Sequence, residues 1–140
     1  MQFRIQRTDW KTSHKELLAV RHEVFVIGQN VPIEIEVDEM DAKCQHFLAC
    51  DASGKPIGTA RADLEGHIGR VAVLDAWQKK NVGRGLMQAA MEYLRETGLV
   101  TAHVNSQTHA AAFYRKLGFR EYGDEFEEAG IPHIAMTIQL

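Results

Sequence analysis

The sequence predicts an α/β chain, α+β by layer, built on a mixed, mostly antiparallel sheet of about seven strands. Three observations carry that prediction. Short runs of alternating or continuous apolar residues recur along the chain, separated by turns rich in Gly, Asp and Ser. The second, third and fourth of these runs follow one another through tight turns, as an antiparallel meander does. A long amphipathic stretch then separates the fourth run from the fifth, and a crossover of that length makes the pair parallel.

FRIQ, residues 3–6, alternates and is the first strand. A helix follows through HKELLAVRHEVFV, where Leu17, Val20, Val24 and Ile27 recur on one face. Thr12 or Ser13 can cap it, Ser13 and Glu16 having capping-box spacing, and Gly28 marks its end. In QNVPIEIEVDEMD, Ile33, Ile35 and Val37 alternate with Glu34, Glu36 and Asp38. Pro32 and the charge density favour an edge or an extended loop there. QHFLACD, PIGTARADL and HIGRVAVL are the next three strands, joined by the turns DASGKP and LEGH. Residues 84–97 form a helix with Leu86, Ala90, Tyr93 and Leu94 on its apolar face and Gly98 at its close. LVTAHV is the fifth strand. The middle of NSQTHAAAFYRKLGF is helical and stops at Gly118. FREYG and HIAMTIQL are the late strands, with DEFEEAGIP a polar loop between them.

The 140 residues, 45% apolar and 25% charged, suit one domain spanning 1–140. A net charge of −3 gives no overall basic footprint for nucleic acid. No apolar run approaches the ~20 residues of a membrane span, and MQFRIQRTDW lacks the apolar core of a signal peptide. Cys44 and Cys50 have no second pair and no ligand-spaced histidines, so neither a disulfide framework nor a metal site is expected. Free thiols point to a reducing, cytoplasmic setting. Charge is nonetheless uneven. Glu34, Glu36, Asp38, Glu39 and Asp41 form a field suited to a cation; Lys79, Lys80 and Arg84 form one suited to an anion.

The basic group lies in QKKNVGRG, Gln78 to Gly85, between a strand and a helix. The first amides of a helix lack intrahelical partners, and small residues such as Gly83 and Gly85 let a ligand approach them. The helix dipole favours an anion there by about 0.3–1 kcal/mol. A phosphate or pyrophosphate fits this stretch; an exposed connection of no function is the alternative. Neither G-x-x-x-x-G-K-[ST] nor G-x-G-x-x-G occurs, which disfavours a nucleotide hydrolase. Asn81 stands where a further glycine is usual, and Asn is the non-glycine residue that most readily takes positive φ.

RVAVLDAWQKKNVGRGL, followed by NSQTHAAAFYRKLGF, resembles the GNAT superfamily of acyl-CoA-dependent N-acyltransferases. VRHEVFVIGQNVPIEIEVDEMDAKCQHF and EFEEAGIPHIAM narrow the resemblance to a small bacterial branch whose substrates are mostly unassigned. The resemblance implies a twisted sheet with helices on both faces and a fourth strand splayed from the fifth. The pantetheine arm of acetyl-CoA would lie in that gap against the main chain of Val71, Ala72 and Val73. Gln78, Asn81 and Gly83 fill the Q/R-x-x-G-x-G/A pattern, and amides from Lys79, Lys80, Asn81, Val82, Gly83, Arg84 and Gly85 would hold the pyrophosphate. Asn105, just past the fifth strand, matches a residue that often bonds the cofactor; capping the following helix is its other reading. Tyr114 matches the tyrosine that protonates the departing thiolate, with a core aromatic as the alternative.

The implied reaction is direct transfer of an acetyl group to an amine of a small molecule or peptide. A fourth-strand amide polarises the oxyanion, and alignment of the reactants supplies much of the rate. A homodimer is compatible with this fold. The expected base is missing, because related sequences carry a glutamate where Gly69 stands. His67 and Arg70 are nearby, but Arg70 cannot act as a base. Glu34, Glu36 and Asp38 are the substitute carboxylates, unless the run is a solvated face. His46, His109, Trp10 and Trp77 read as structural, with capping or lining the cofactor cleft the alternative for His109 and closing over the cofactor the alternative for Trp77. The competing function is an acyl-CoA-binding module with little turnover.

Overall fold

The structure is a computed structural model and describes residues 2–140. Its strands are β1 (Phe3–Thr8), β2 (Gln45–Asp51), β3 (Pro56–Ala62), β4 (His67–Val73), β5 (Thr101–Gln107), β6 (Arg120–Glu128) and β7 (Ile131–Gln139). They form one seven-stranded sheet in the order β1-β2-β3-β4-β5-β7-β6. Every neighbouring pair is antiparallel except β4 and β5, which run parallel across the crossover. The helices are α1 (Trp10–Arg21), α2 (Ile33–Glu36), α3 (Val82–Glu96) and α4 (Ala111–Leu117).

Alternation along β2 sends side chains to both faces of the sheet. Leu48 and Cys50 join Leu17 of α1 in one cluster. Phe47 and Ala49 join Leu86, Ala90 and Leu94 of α3 in the larger core, with Ala60, Ala62, Ile68 and Ala72. The sheet is therefore covered by helices on both sides.

The gap that defines the molecule opens between β4 and β5. Only His67–His103 and Ile68–Val104 are aligned across it. Beyond them β4 bulges. Gly69 faces Arg61 and Ala72 faces Thr59, so two β4 residues oppose one on β3. Arg70, inside the bulge, has φ +50°, and Thr59 Oγ1 holds the bulge by donating to the Arg70 carbonyl at 2.9 Å. The extra residue turns β4 away from its parallel neighbour.

Several expected boundaries shift. The α1 cap is Asp9, whose carboxylate accepts from the Thr12 amide at 2.7 Å; Ser13 lies inside with non-helical φ/ψ and bonds Thr8 through its hydroxyl. The helix loosens into a π-helical turn, His22–Ile27, and Gly28 stays right-handed; the left-handed residue that follows is Asn30. Residues 33–36 are helical rather than extended, with the Glu36 amide bonded to the Pro32 carbonyl at 3.1 Å. The crossover helix starts at Val82, before the expected 84. β5 continues to Gln107 because β7 pairs along it as far as Gln107–His133. Asn105 is therefore within the strand and caps nothing. Residues 124–128, expected as loop, continue β6 to a turn at Ala129 and Gly130. Every β6 residue is exposed, so no buried face imposed an alternation that could be read.

Candidate functional site

A cleft of about 1020 Å³ occupies the gap. Gly69 to Val73 of β4 form one wall, and Asn105 and Gln107 of β5 the other. At one end lie Gln78, Lys79, Asn81, Val82, Gly83 and Arg84 with Phe113 and Tyr114; at the opposite end lie Val24, Phe25, Val31 and Ile35. Lys80, Gly85 and Glu34 are not brought to this lining.

The α3 end fits an anion. The first backbone bond of the helix runs from the Gly85 amide to the Asn81 carbonyl at 3.0 Å, so the amides of Val82, Gly83 and Arg84 precede the ladder. Asn81 is the residue before the helix, with φ +68°, and its side chain makes no capping bond. Lys79 is also left-handed, at φ +61°. The two glycines also serve packing. A Cβ on Gly83 would stand 3.2 Å from the Phe113 ring, and one on Gly85 would stand 2.6 Å from Ile5 Cδ1. They let α3 sit close to α4 and β1, which aims the amides by packing. Gln78 Nε2 donates to the Val73 carbonyl and to Asp75.

The β4 wall offers backbone. With β5 turned away after Ile68, the edge of Val71, Ala72 and Val73 that faces the gap has no strand partner there. Tyr114 sits between Phe113 and Phe119, edge-to-face with both, and lines the cleft. Burial raises its pKa well above the ordinary value, so the phenol stays protonated near neutrality and is suited to donate a proton.

The acidic segment is largely neutralised. Arg21, fully buried, donates from Nε to Glu36 at 2.6 Å and from Nη1 to Asp41 at 2.7 Å. Arg61 bonds Asp38 at 2.7 Å and Asp41 at 2.8 Å. Arg70 approaches Asp38 and Glu36 at 3.3 and 3.5 Å. Three arginines thus match three carboxylates. The Arg61 hydrogen bond holds Asp38 below its usual value; burial would raise Asp41, but its bonds from Arg21 and Arg61 outweigh that. Glu36 lines the cleft but is bound to Arg21, while Glu34 and Glu39 are exposed. The field expected to attract a cation is therefore weaker than the acid count suggested.

Arg21 and Arg61 escaped the sequence reading. A signal was present, since Arg21 lies four residues after Leu17 on the apolar stripe of α1, where an unpaired charge is not tolerated. A reciprocal amide pair between Gln29 and Gln107, at 2.8 and 3.1 Å, ties the chain after α1 to β5. His46 is buried and donates from Nε2 to the Asp41 carbonyl at 2.7 Å. Cys44 and Cys50 are buried, and burial raises both thiols. Among the described residues no helix is long and apolar enough to cross a membrane.

Residues 12–140 match the model of the acetyltransferase (GNAT) domain family. A Bacillus subtilis protein named as an acetyltransferase is 39% identical over 137 residues, covering 91% of this chain and 92% of its own. A crystal structure from Lactobacillus plantarum, of a protein assigned as an N-acetyltransferase, is 25% identical with a TM-score of 0.90, covering 100% of this chain and 99% of its own. The structure of an acyl-CoA N-acyltransferase from Pseudomonas aeruginosa is 28% identical with a TM-score of 0.84, covering 97% of this chain and 99% of its own.

Proposed function

The chain belongs to the GNAT acetyltransferase family, and from that premise we propose that it moves an acetyl group from acetyl-CoA to a primary amine of a small molecule or peptide by direct transfer. The observation that carries the reading is the unpaired β4 edge, which leads from the free amides of α3 past a buried tyrosine.

Acetyl-CoA, when bound, supplies an activated thioester. The amides of Val82, Gly83 and Arg84 hold its pyrophosphate, with Lys79 and Arg84 adding charge. The main chain of Val71, Ala72 and Val73 bonds the pantetheine arm as a strand would, and Asn105 donates from the opposite wall. A β4 amide in the bulge stabilises the developing oxyanion. Tyr114 donates its phenolic proton to the departing sulfur. Glu36 is engaged by Arg21 and Glu34 lies outside the lining, so removal of the amine proton falls to another group.

Incubation with acetyl-CoA and a diverse amine panel, followed by CoA release, tests the reading. Release that depends on one class of amine supports it. Tight acetyl-CoA binding with no transfer to any amine favours the second reading, a binding module with little turnover, for which Gly69 and the engagement of Glu36 speak.

A further inference from the structure

Resting on the transferase reading, we propose that His67 is the catalytic base that takes the proton from the acceptor amine. His67 and Gly69 are two apart on β4 and so share a face, while the buried Ile68 between them points to the other. Gly69 occupies the position where the carboxylate was expected. A Cβ there would meet nothing within 4 Å, so the space beside His67 on that face is open. His67 lines the same cleft as Tyr114.

The backbone of His67 is fixed from both directions. Its amide donates to Asp63 Oδ1 at 3.0 Å, and its carbonyl accepts from the Asp63 amide at 3.0 Å. Its ring is uncommitted: neither nitrogen bonds another group among the described residues, and neither is sealed from solvent, His103 Nδ1 being the buried side-chain atom there that lacks a partner.

Most rival bases are engaged, while His109 and Glu128 line the cleft with no side-chain hydrogen bond among the described residues. Glu36, Asp38 and Asp41 are held by arginines. Asp63 accepts from the amides of Glu65 and His67. His133 donates from Nδ1 to the Ile131 carbonyl at 2.7 Å, its Nε2 lies 3.6 Å from Glu128, and Phe126 stacks on it.

The protons balance as follows. The acceptor ammonium gives one proton to His67, which passes it to solvent. The freed lone pair forms the C–N bond as the C–S bond breaks. Tyr114 gives its proton to the thiolate and is restored as the nitrogen loses its second proton. An amine cation and a thioester become an amide, a thiol and one free proton.

Burial lowers the His67 pKa below its ordinary 6.5. The charged and titratable neighbours are Asp63 of the turn, Arg61 of β3, His103 of β5 and Glu128 of β6. Asp63 and Glu128 oppose the lowering, while Arg61 and His103 reinforce it. Arg70 of β4 and His133 of β7 share the cleft. A neutral imidazole at neutral pH is the form a base requires.

The test compares wild type, His67→Gln and His133→Gln with acetyl-CoA and a panel of spermidine, tyramine and a lysine amide, over a range of pH. The expected result for His67→Gln is a fall in kcat/KM of about 10²-fold or more, with acetyl-CoA affinity within twofold and the acid limb of the pH profile gone. His133→Gln should keep that limb. In wild type, NMR titration of the His67 imidazole should give a midpoint below 6.5 that matches the limb, a readout that needs no variant to fold. An acid limb that survives in His67→Gln, or an imidazole midpoint that departs from it, overturns the assignment alone. A wild type that binds acetyl-CoA and acetylates no amine overturns the transferase reading and His67 with it.

Discussion

Arg21 Nε lies 2.6 Å from Glu36 Oε1 with both side chains buried, and this contact converts an acidic segment into part of the core. Glu36 is the last residue of α2 and Arg21 the last of α1. Their pairing, extended to Asp41 and on to Arg61, fixes the chain that walls the far end of the cleft.

Arg21→Met should cost about 3–5 kcal/mol, because Glu36 loses its shortest ion-pair contact inside the protein and Asp41 loses one of two. Urea unfolding measures this. A loss under 1 kcal/mol would mean that the carboxylates reach water and the network is not closed.

Two glycines near the cleft should behave oppositely. Gly69→Ala enters open space and should leave stability within about 0.5 kcal/mol. Gly66 has φ +93°, and its Cβ would stand 2.7 Å from the Thr101 carbonyl oxygen, so Gly66→Ala should cost about 1–3 kcal/mol. Thermal or urea unfolding of the pair checks the contrast.

At Asn81 the backbone is already left-handed. Asn81→Gly should bind acetyl-CoA within a few-fold of wild type by calorimetry. Asn81→Val should cost about 1–3 kcal/mol of stability, since a β-branched side chain resists that conformation.

Acid should destabilise the fold in two steps. Burial lowers the His46 and His67 pKa values below 6.5, so the unfolded chain takes up protons first as pH falls; their contribution is complete above 6.5 and is lost toward the folded values. Asp38 and Asp41, held below 3.8, lose theirs in a second window beneath that value. Melting temperature against pH should fall from pH 7 toward 5, and His46→Asn should flatten that limb.

The sheet was legible where one face is buried. QHFLACD announces a strand because packing on both sides demands apolar residues, HIGRVAVL because its Ile68 and Ala72 are buried, and the left-handed Asn81 is legible from its side chain alone. Residues 33–37 misled, because a period-two pattern carries no record of Arg21 drawing Glu36 inward. β6 was cut short because an edge strand exposed on both faces has no pattern to impose. Gly83 and Gly85 were legible as required glycines, but the reason lies in Phe113 and Ile5, each distant in sequence. In the sequence Gly69 is only a missing base; the open space beside it is what supports the proposal for His67.

Acetyl transfer through this cleft is tested most directly by Tyr114→Phe, with turnover and acetyl-CoA affinity measured on the same preparation. The phenol is buried between Phe113 and Phe119, and the proposed reaction makes it the proton donor. Its loss should lower kcat by about 10²–10⁴-fold with acetyl-CoA affinity within twofold. Equal turnover in the two proteins would contradict it.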